Sequence, residues 1–272
     1  MKEKYSFIFV VLVYKNYNDL MQFVPQVKEI RTRCKIIVVN SYYSQETYDT
    51  IKDYCAQNEC DFLNVPNKGY GAGNNAGIRY AMENYYFNYL VVCNSDVDIK
   101  QFPMELKDGY SDKVVAPYIT NIEGKFQNPY WVHFSYLGEK LMYLGYKRHV
   151  KLLLMAGIAL FKIPRELFVL WFKHTPKREA IVAGAHGCFV LFPYKVLKQI
   201  GTPYDENMFL FAEESLLAHT LKKSGIKTVM TKDIEIVHHE CGSINTTSID
   251  QLEARRKSVV YYYEKVYGRS EH

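Results

Sequence analysis

Asn67-Lys68-Gly69-Tyr70-Gly71-Ala72-Gly73-Asn74-Asn75-Ala76-Gly77 is followed by an apolar stretch that ends in acid, Tyr89-Leu90-Val91-Val92-Cys93-Asn94-Ser95-Asp96-Val97-Asp98. Glycine has no Cβ, so a glycine-rich turn lets backbone amides come close to a phosphate. Carboxylates just past a buried strand can hold the divalent cation that neutralises it. Together the two stretches predict a nucleotide diphosphate site at the edge of an α/β sheet.

Strand and helix signals alternate on the N-terminal side of this site. Phe7 to Val13 is a β-branched and aromatic run, Asn18 to Ile30 carries Leu20, Phe23, Val24 and Val27 at helical spacing, and Lys35 to Val39 is a second apolar strand. Thr47 to Gln57 reads as a helix, Asp61 to Val65 as a strand, Asn74 to Asn84 as a helix and Tyr89 to Cys93 as a fourth strand. Such alternation implies a parallel sheet covered on both faces, with ligands beyond the carboxyl ends of its strands. Those ends are Tyr14 to Asn16, Asn40-Ser41, Asn67 onward and Asn94 to Asp98. Residues 1–100 are thus expected to form a nucleotide-binding half, fused without a linker to a less regular half over 101–272.

With 272 residues, 48% of them hydrophobic, the chain can bury a large core. The net charge of +5 is spread along the sequence, which argues against a nucleic-acid footprint. The six cysteines form no C-x-x-C pair and no zinc-site spacing, and the N-terminus shows no signal-peptide cleavage site, so a cytoplasmic protein is expected. Residues 147–178 are basic and apolar, but Lys162, Pro164, Arg165 and Glu166 interrupt the ~20 apolar residues a bilayer span requires. The segment reads either as a pair of core helices or as an interfacial element turning Lys147, Arg148, Lys151, Lys173, Lys177 and Arg178 to anionic lipid.

The chemistry-bearing residues allow more than one reading. Gly71 to Ala76 satisfies the G-x-G-x-x-G/A pattern of dinucleotide-binding folds, with Asp96 twenty residues on, although two strand-helix units precede it. Asp96 and Asp98 are separated by one residue, so on an extended segment both point the same way and on a turn they can converge on Mg²⁺ or Mn²⁺; either can instead serve as a turn or cap acid. Glu213 and Glu214 open a helix, where the dipole favours acids, behind Phe209 and Phe211, which can desolvate a carboxylate and raise its basicity. His238 and His239 end a strand beside Glu240 and offer a metal ligand or phosphate donor, or a structural hydrogen bond.

In this order the motifs resemble the family 2 glycosyltransferases with a GT-A fold, especially capsule, exopolysaccharide and rhamnosyltransferase-like members. Val13-Tyr14-Lys15-Asn16 is similar to the family's first nucleotide-contacting strand end, and Asn67 to Gly77 to its N-x-G-x-(G/A)-x-x-N-x-G loop. Asn94-Ser95-Asp96 resembles the N-P-D form of the D-x-D motif. His186-Gly187-Cys188-Phe189 resembles the strand lining the acceptor side, Gly201 to Glu206 the G-x-x-(F/Y)-D-E stretch, and Phe209 to Glu214 the F-x-(Y/F)-x-E-D element. His238 with Ser243 fits the closing H-x-x-x-x-S. Departures are Asn40-Ser41 in place of a base-reading Asp, Ser95 for Pro, Glu214 for Asp, and Leu216-Leu217 and His219 for a downstream Asp-Leu and Arg.

The resemblance implies an inverting, metal-dependent transfer of a sugar from a UDP- or dTDP-sugar to a saccharide, on a polyprenyl diphosphate at the inner face of a bacterial membrane. It makes Glu214 the catalytic base beside Glu213, Asp96 the metal ligand with Asp98 accessory and His238 a further ligand, and His186 and Gly187 acceptor-side residues. Val13, Tyr14, Asn40, Asn67, Lys68, Gly69, Gly71, Asn75, Asn94 and Ser95 would shape the nucleotide side. A dinucleotide enzyme and a non-catalytic carbohydrate-binding protein with a decayed site are the alternatives.

Overall fold

The run Lys4–Val13 forms the central strand β1 because its side chains alternate between two apolar environments. Phe7, Phe9, Val11 and Val13 enter one buried cluster and Ile8 and Val10 another, on opposite faces of the sheet. Each such fully buried side chain contributes roughly 1.5–3 kcal/mol. The structure, a computed structural model, describes residues 2–240 and 250–268.

The chain continues through α1 (Asn18–Lys28), β2 (Cys34–Tyr42), α2 (Gln45–Gln57), β3 (Asp61–Pro66), α3 (Tyr70–Asn84) and β4 (Tyr86–Cys93). The strands β3, β2, β1 and β4 are neighbours in that order and all parallel. Helices α1 and α2 cover the Phe7 face with Leu20, Phe23, Ile51 and Cys55, while α3 covers the other with Ile78 and Ala81.

The less regular half contributes β5 (Val97–Gln101), β6 (Val114–Asn121), β7 (Glu179–Val182), β8 (Phe189–Pro193) and β9 (Thr228–His238) to the same sheet. Strand β8 runs antiparallel to β4 and extends the order through β6 and β9 to β5, with β7 beside β9. Helices α4 (Tyr136–Lys147), α5 (Lys151–His174), α6 (Tyr194–Ile200), α7 (Glu213–Lys223) and α8 (Gln251–Tyr267) complete the order. Trp131, Tyr146, Phe161, Leu216 and Tyr262 form a third cluster under α4, α5, α7 and α8.

Two expectations change. The glycine run is not a loop up to Asn74: α3 starts at Tyr70 and takes in Gly71, Gly73 and Gly77. Close packing explains this, since a Cβ on Gly77 would lie 2.4 Å from Val10 Cγ1 and one on Gly73 2.5 Å from Leu12 Cδ1. The segment 147–178 is not a pair of helices, because α5 continues through Pro164 for 24 residues. Lys147 closes α4 and pairs with Glu264 of α8 at 2.8 Å rather than facing outward alone.

Candidate active site

The strand ends that were expected to bind nucleotide lie side by side, with Val13 opposite Asn40 and Asn40 opposite Asn64. Asn40 is buried; its amide nitrogen donates to Asn64 Oδ1 at 2.7 Å, and its own Oδ1 is buried without a hydrogen-bond partner. Tyr14 meets the edge of Tyr43, and the Lys15 ammonium lies 4.5 Å over the Tyr43 ring. Asn67 Oδ1 accepts from Gly69 N, and Lys68 is exposed beside it. Gly69 has φ +102° and sits so close to Phe209 that a Cβ would lie 2.2 Å from its carbonyl oxygen, which itself accepts from Tyr70 N. Asn75 is fully buried and brackets Tyr204, donating to its carbonyl and accepting from its amide, so this asparagine and Gly71 hold the 204–206 loop in place.

A cleft of about 590 Å³ opens next to these ends and gathers Asn94, Asp96, His186, Gly187, Glu213, Glu214 and His238. Asp96 lies in the bend between β4 and β5, and His238 at the end of β9. His238 Nδ1 is bonded to Gln127 Oε1 at 2.8 Å, while Nε2 is 3.3 Å from Asp96 Oδ1. A carboxylate oxygen carries no proton, so with Nδ1–H donating to Gln127 the second ring nitrogen and Asp96 need a proton or a cation between them. Burial alone would raise the Asp96 carboxyl, but the hydrogen bond and charge of His238 outweigh it and hold the acid below its ordinary value. Asp96 Oδ2 is buried with no hydrogen-bond partner. An orphaned carboxylate oxygen beside an imidazole suits a divalent cation of the Mg²⁺ or Mn²⁺ kind. The ligand atoms of His186, Cys188 and His238 also lie within 4.8 Å of one another.

Asp98 does not join this pair. It stands on β5 opposite Val237, with its carboxylate 3.0 Å from Lys100 and 3.1 Å from His239, outside the cleft. Asp96 stands in the bend before β5 and reaches His238, whereas Asp98 stands on the strand and reaches His239. Ser95 is half-buried beside the cleft wall, and Ser243 lies outside the described residues.

Glu213 and Glu214 open α7 after two residues in left-handed conformation, Phe211 (φ 70°) and Ala212 (φ 62°). Non-glycine residues there carry strain, and here it turns the chain sharply enough to aim the first helical turn into the cleft. Glu214 Oε1 accepts from Gly187 N at 3.3 Å, and a Cβ on Gly187 would be 3.0 Å from that same oxygen. Burial pushes the Glu214 carboxyl up, and burial with the charge of Glu214 pushes Glu213 up. Two adjacent buried carboxylates therefore hold a proton to higher pH than either would alone. The desolvating wall is largely tyrosine, namely Tyr70, Tyr130 and Tyr204, together with Phe211; Phe209 is exposed and lies outside it, contrary to the expectation for that residue.

His186 is held on both sides. Its amide donates to Asn128 Oδ1 at 2.7 Å, and its Nδ1 accepts from Cys188 N at 3.2 Å, leaving the proton of the neutral ring on Nε2. Burial, with the charge of His238, lowers its pKa to about 3. Sequence spacing gave no sign of Gln127 and Asn128, which lie in an irregular stretch and act only through the histidines they hold. Arg165 on α5 in turn donates to the carbonyls of Phe126 and Pro129 on either side of them. Tyr130 and Arg255 also line the cleft unheralded, because lone aromatic and basic residues carry no motif.

No family model matches the chain. A curated relative, the low-salt glycan biosynthesis hexosyltransferase Agl10 of Haloferax volcanii, is 20% identical over an alignment of 242 residues that covers 85% of this chain. The chain spans 66% of that relative's length. The crystal structure of GalNAc-T7 with UDP, GalNAc and Mn²⁺ matches 86% of this chain and 44% of its own, with a TM-score of 0.57 at 11% identity. The crystal structure of S. aureus TarS 1-349 matches 98% and 73%, with a TM-score of 0.52 at 10% identity. The nine-stranded α/β sheet with its cleft at the β4 and β9 ends is the GT-A glycosyltransferase fold.

Proposed function

We propose that this protein is an inverting hexosyltransferase that moves a sugar from a UDP- or dTDP-sugar to a saccharide acceptor, in the synthesis of a cell-surface polysaccharide such as a capsule. The observation that carries this reading is one cleft holding a buried Asp96–His238 pair on one wall and a buried, proton-retaining Glu213–Glu214 pair on another. Asp96 and His238 would hold Mg²⁺ or Mn²⁺, which when bound supplies positive charge to the leaving diphosphate. Glu214, oriented by Gly187 N–H, takes the proton of the acceptor hydroxyl. The freed oxygen attacks the anomeric carbon from the face opposite the diphosphate. The C1–O bond breaks, its electron pair leaves on the nucleotide, and the configuration inverts. His186, neutral with N–H at Nε2, offers a donor at the cleft wall that does not repel a cation nearby.

The nucleotide would lie along Val13, Tyr14, Asn40, Asn67 and Lys68, with the acceptor on the His186–Gly187 side. A polyprenyl-diphosphate-linked oligosaccharide fits a cleft whose rim includes the apolar residues Met142 and Ile158. The dinucleotide alternative loses its motive, because the glycines of its fingerprint are accounted for by contact with Val10, Leu12 and Tyr204. The test is Glu214→Gln. Transfer to a saccharide acceptor should fall by about a thousandfold or more while nucleotide diphosphate binding in Mn²⁺ stays near wild type. Retained transfer would remove Glu214 from the base role, and a wild-type protein that neither transfers nor hydrolyses any donor of a UDP- and dTDP-sugar panel would favour the non-catalytic alternative.

A further inference from the structure

Helix α5 is apolar on both sides. One side, with Gly157, Phe161, Val169 and Phe172, is buried against the protein. The other presents Leu152 (76% exposed), Ile163 (61%), Leu167 (64%) and Leu170 (60%). At 3.6 residues per turn these positions, with Ala156 and Ala159 between them, form one continuous outward stripe along the helix. A helix apolar all round belongs in a core or against lipid, and the outward half of this one has no core to enter. Among the described residues no helix is long and apolar enough to cross a membrane.

Charge selects the occupant. Lys151, Lys162 and Lys173 are exposed on α5, Lys177 and Arg178 follow its end, and Glu166 is its sole carboxylate. A second copy packed on this stripe would bring like charges together, whereas an anionic bilayer meets the apolar stripe and the cations at once. The helix also reaches the cleft. Ile158 forms part of the cleft wall, and Gly157 lets α4 approach so closely that a Cβ there would be 2.7 Å from Met142.

We propose that α5 lies in the interfacial plane of an anionic membrane as the seat of the protein, with the acceptor side of the cleft opening beside it. This deepens the proposed function by making the acceptor one embedded in that lipid, and its test is independent of sugar transfer. The full chain would be sedimented with vesicles of phosphatidylglycerol and phosphatidylcholine in equal parts, and with phosphatidylcholine alone. Wild type should bind the anionic vesicles, and Leu152→Glu/Ile163→Glu/Leu167→Glu should weaken binding by about a hundredfold. A second variant, Lys162→Glu/Lys173→Glu, should weaken binding to the anionic vesicles by roughly tenfold and flatten its salt dependence. Thermal melts of both variants, with and without UDP and Mn²⁺, confirm that the fold and nucleotide side persist. Failure of wild type to bind, binding undiminished in the leucine variant, or a wild-type dimer that the leucine variant splits would each overturn the proposal. A protein that binds vesicles but transfers no sugar would leave the seat standing and remove the enzymatic reading.

Discussion

At the scale of single residues, the two adjoining acids carry the largest consequence. Glu213 has an ordinary value of 4.5, and burial beside Glu214 raises it in the folded protein. The unfolded chain releases this proton near pH 4.5 and the folded chain only at higher pH, so stability falls as pH rises from there through the raised value. Glu213→Gln removes this loss. Urea unfolding at pH 5 and pH 8 should show the variant gaining at least ~1 kcal/mol on wild type between the two, where a pH-independent difference would contradict the assignment. With Glu214 as the proposed base, the transfer rate of wild type should climb with pH across the window in which the pair ionises, and a pH-independent rate would contradict that role. The gathering of Asp96, Glu214 and His238 in one cleft could be anticipated from sequence, because each stands in a motif and the motifs follow in order. Their partners could not, since Gln127 and Asn128 act by contacts across long sequence separations that no local pattern encodes.

At the scale of elements, a buried acid joins three helices. Glu139 of α4 has no solvent exposure, and its carboxylate meets His219 of α7 at 2.7 Å and the hydroxyls of Tyr262 and Tyr267 of α8 at 3.4 and 3.2 Å. Removing one member of such a network leaves the others desolvated and unpaired. Glu139→Ala should cost about 3 kcal/mol in chemical denaturation, and Glu139→Gln, which keeps acceptor capacity, clearly less; equal losses would refute the network. The first four strands and their helices were legible because period 2 and period 3.6 stand out in apolar runs. The start of α3 was not, because glycine normally weakens a helix, and only the sheet beneath explains its use here. Likewise the segment 147–178 allowed a pair of helices, but α5 is one helix through Pro164, with Phe161, Val169 and Phe172 buried on either side of the proline.

At the scale of the whole molecule, nucleotide and cation should act together. A ligand that binds only the native state at about a hundred times its Kd adds ~2.7 kcal/mol to stability. UDP with Mn²⁺ should raise the melting temperature by several degrees, UDP with EDTA far less, and Asp96→Ala should abolish the difference; an equal shift with EDTA would argue against a cation in this site. The continuation of the sheet through β8, β6, β9 and β5 was the part of the architecture least visible in sequence, since its pairings are made between distant segments and mix both directions.

Arg165 belongs to α5, and its guanidinium holds the carbonyls that flank Gln127 and Asn128, which in turn hold His238 and His186. The helix is therefore not an interchangeable part. Grafting another basic, apolar helix of equal length in its place would reproduce the outer surface, yet without an arginine at that register the two histidines would lose their common brace, so the outward stripe and the cleft must change in step or not at all.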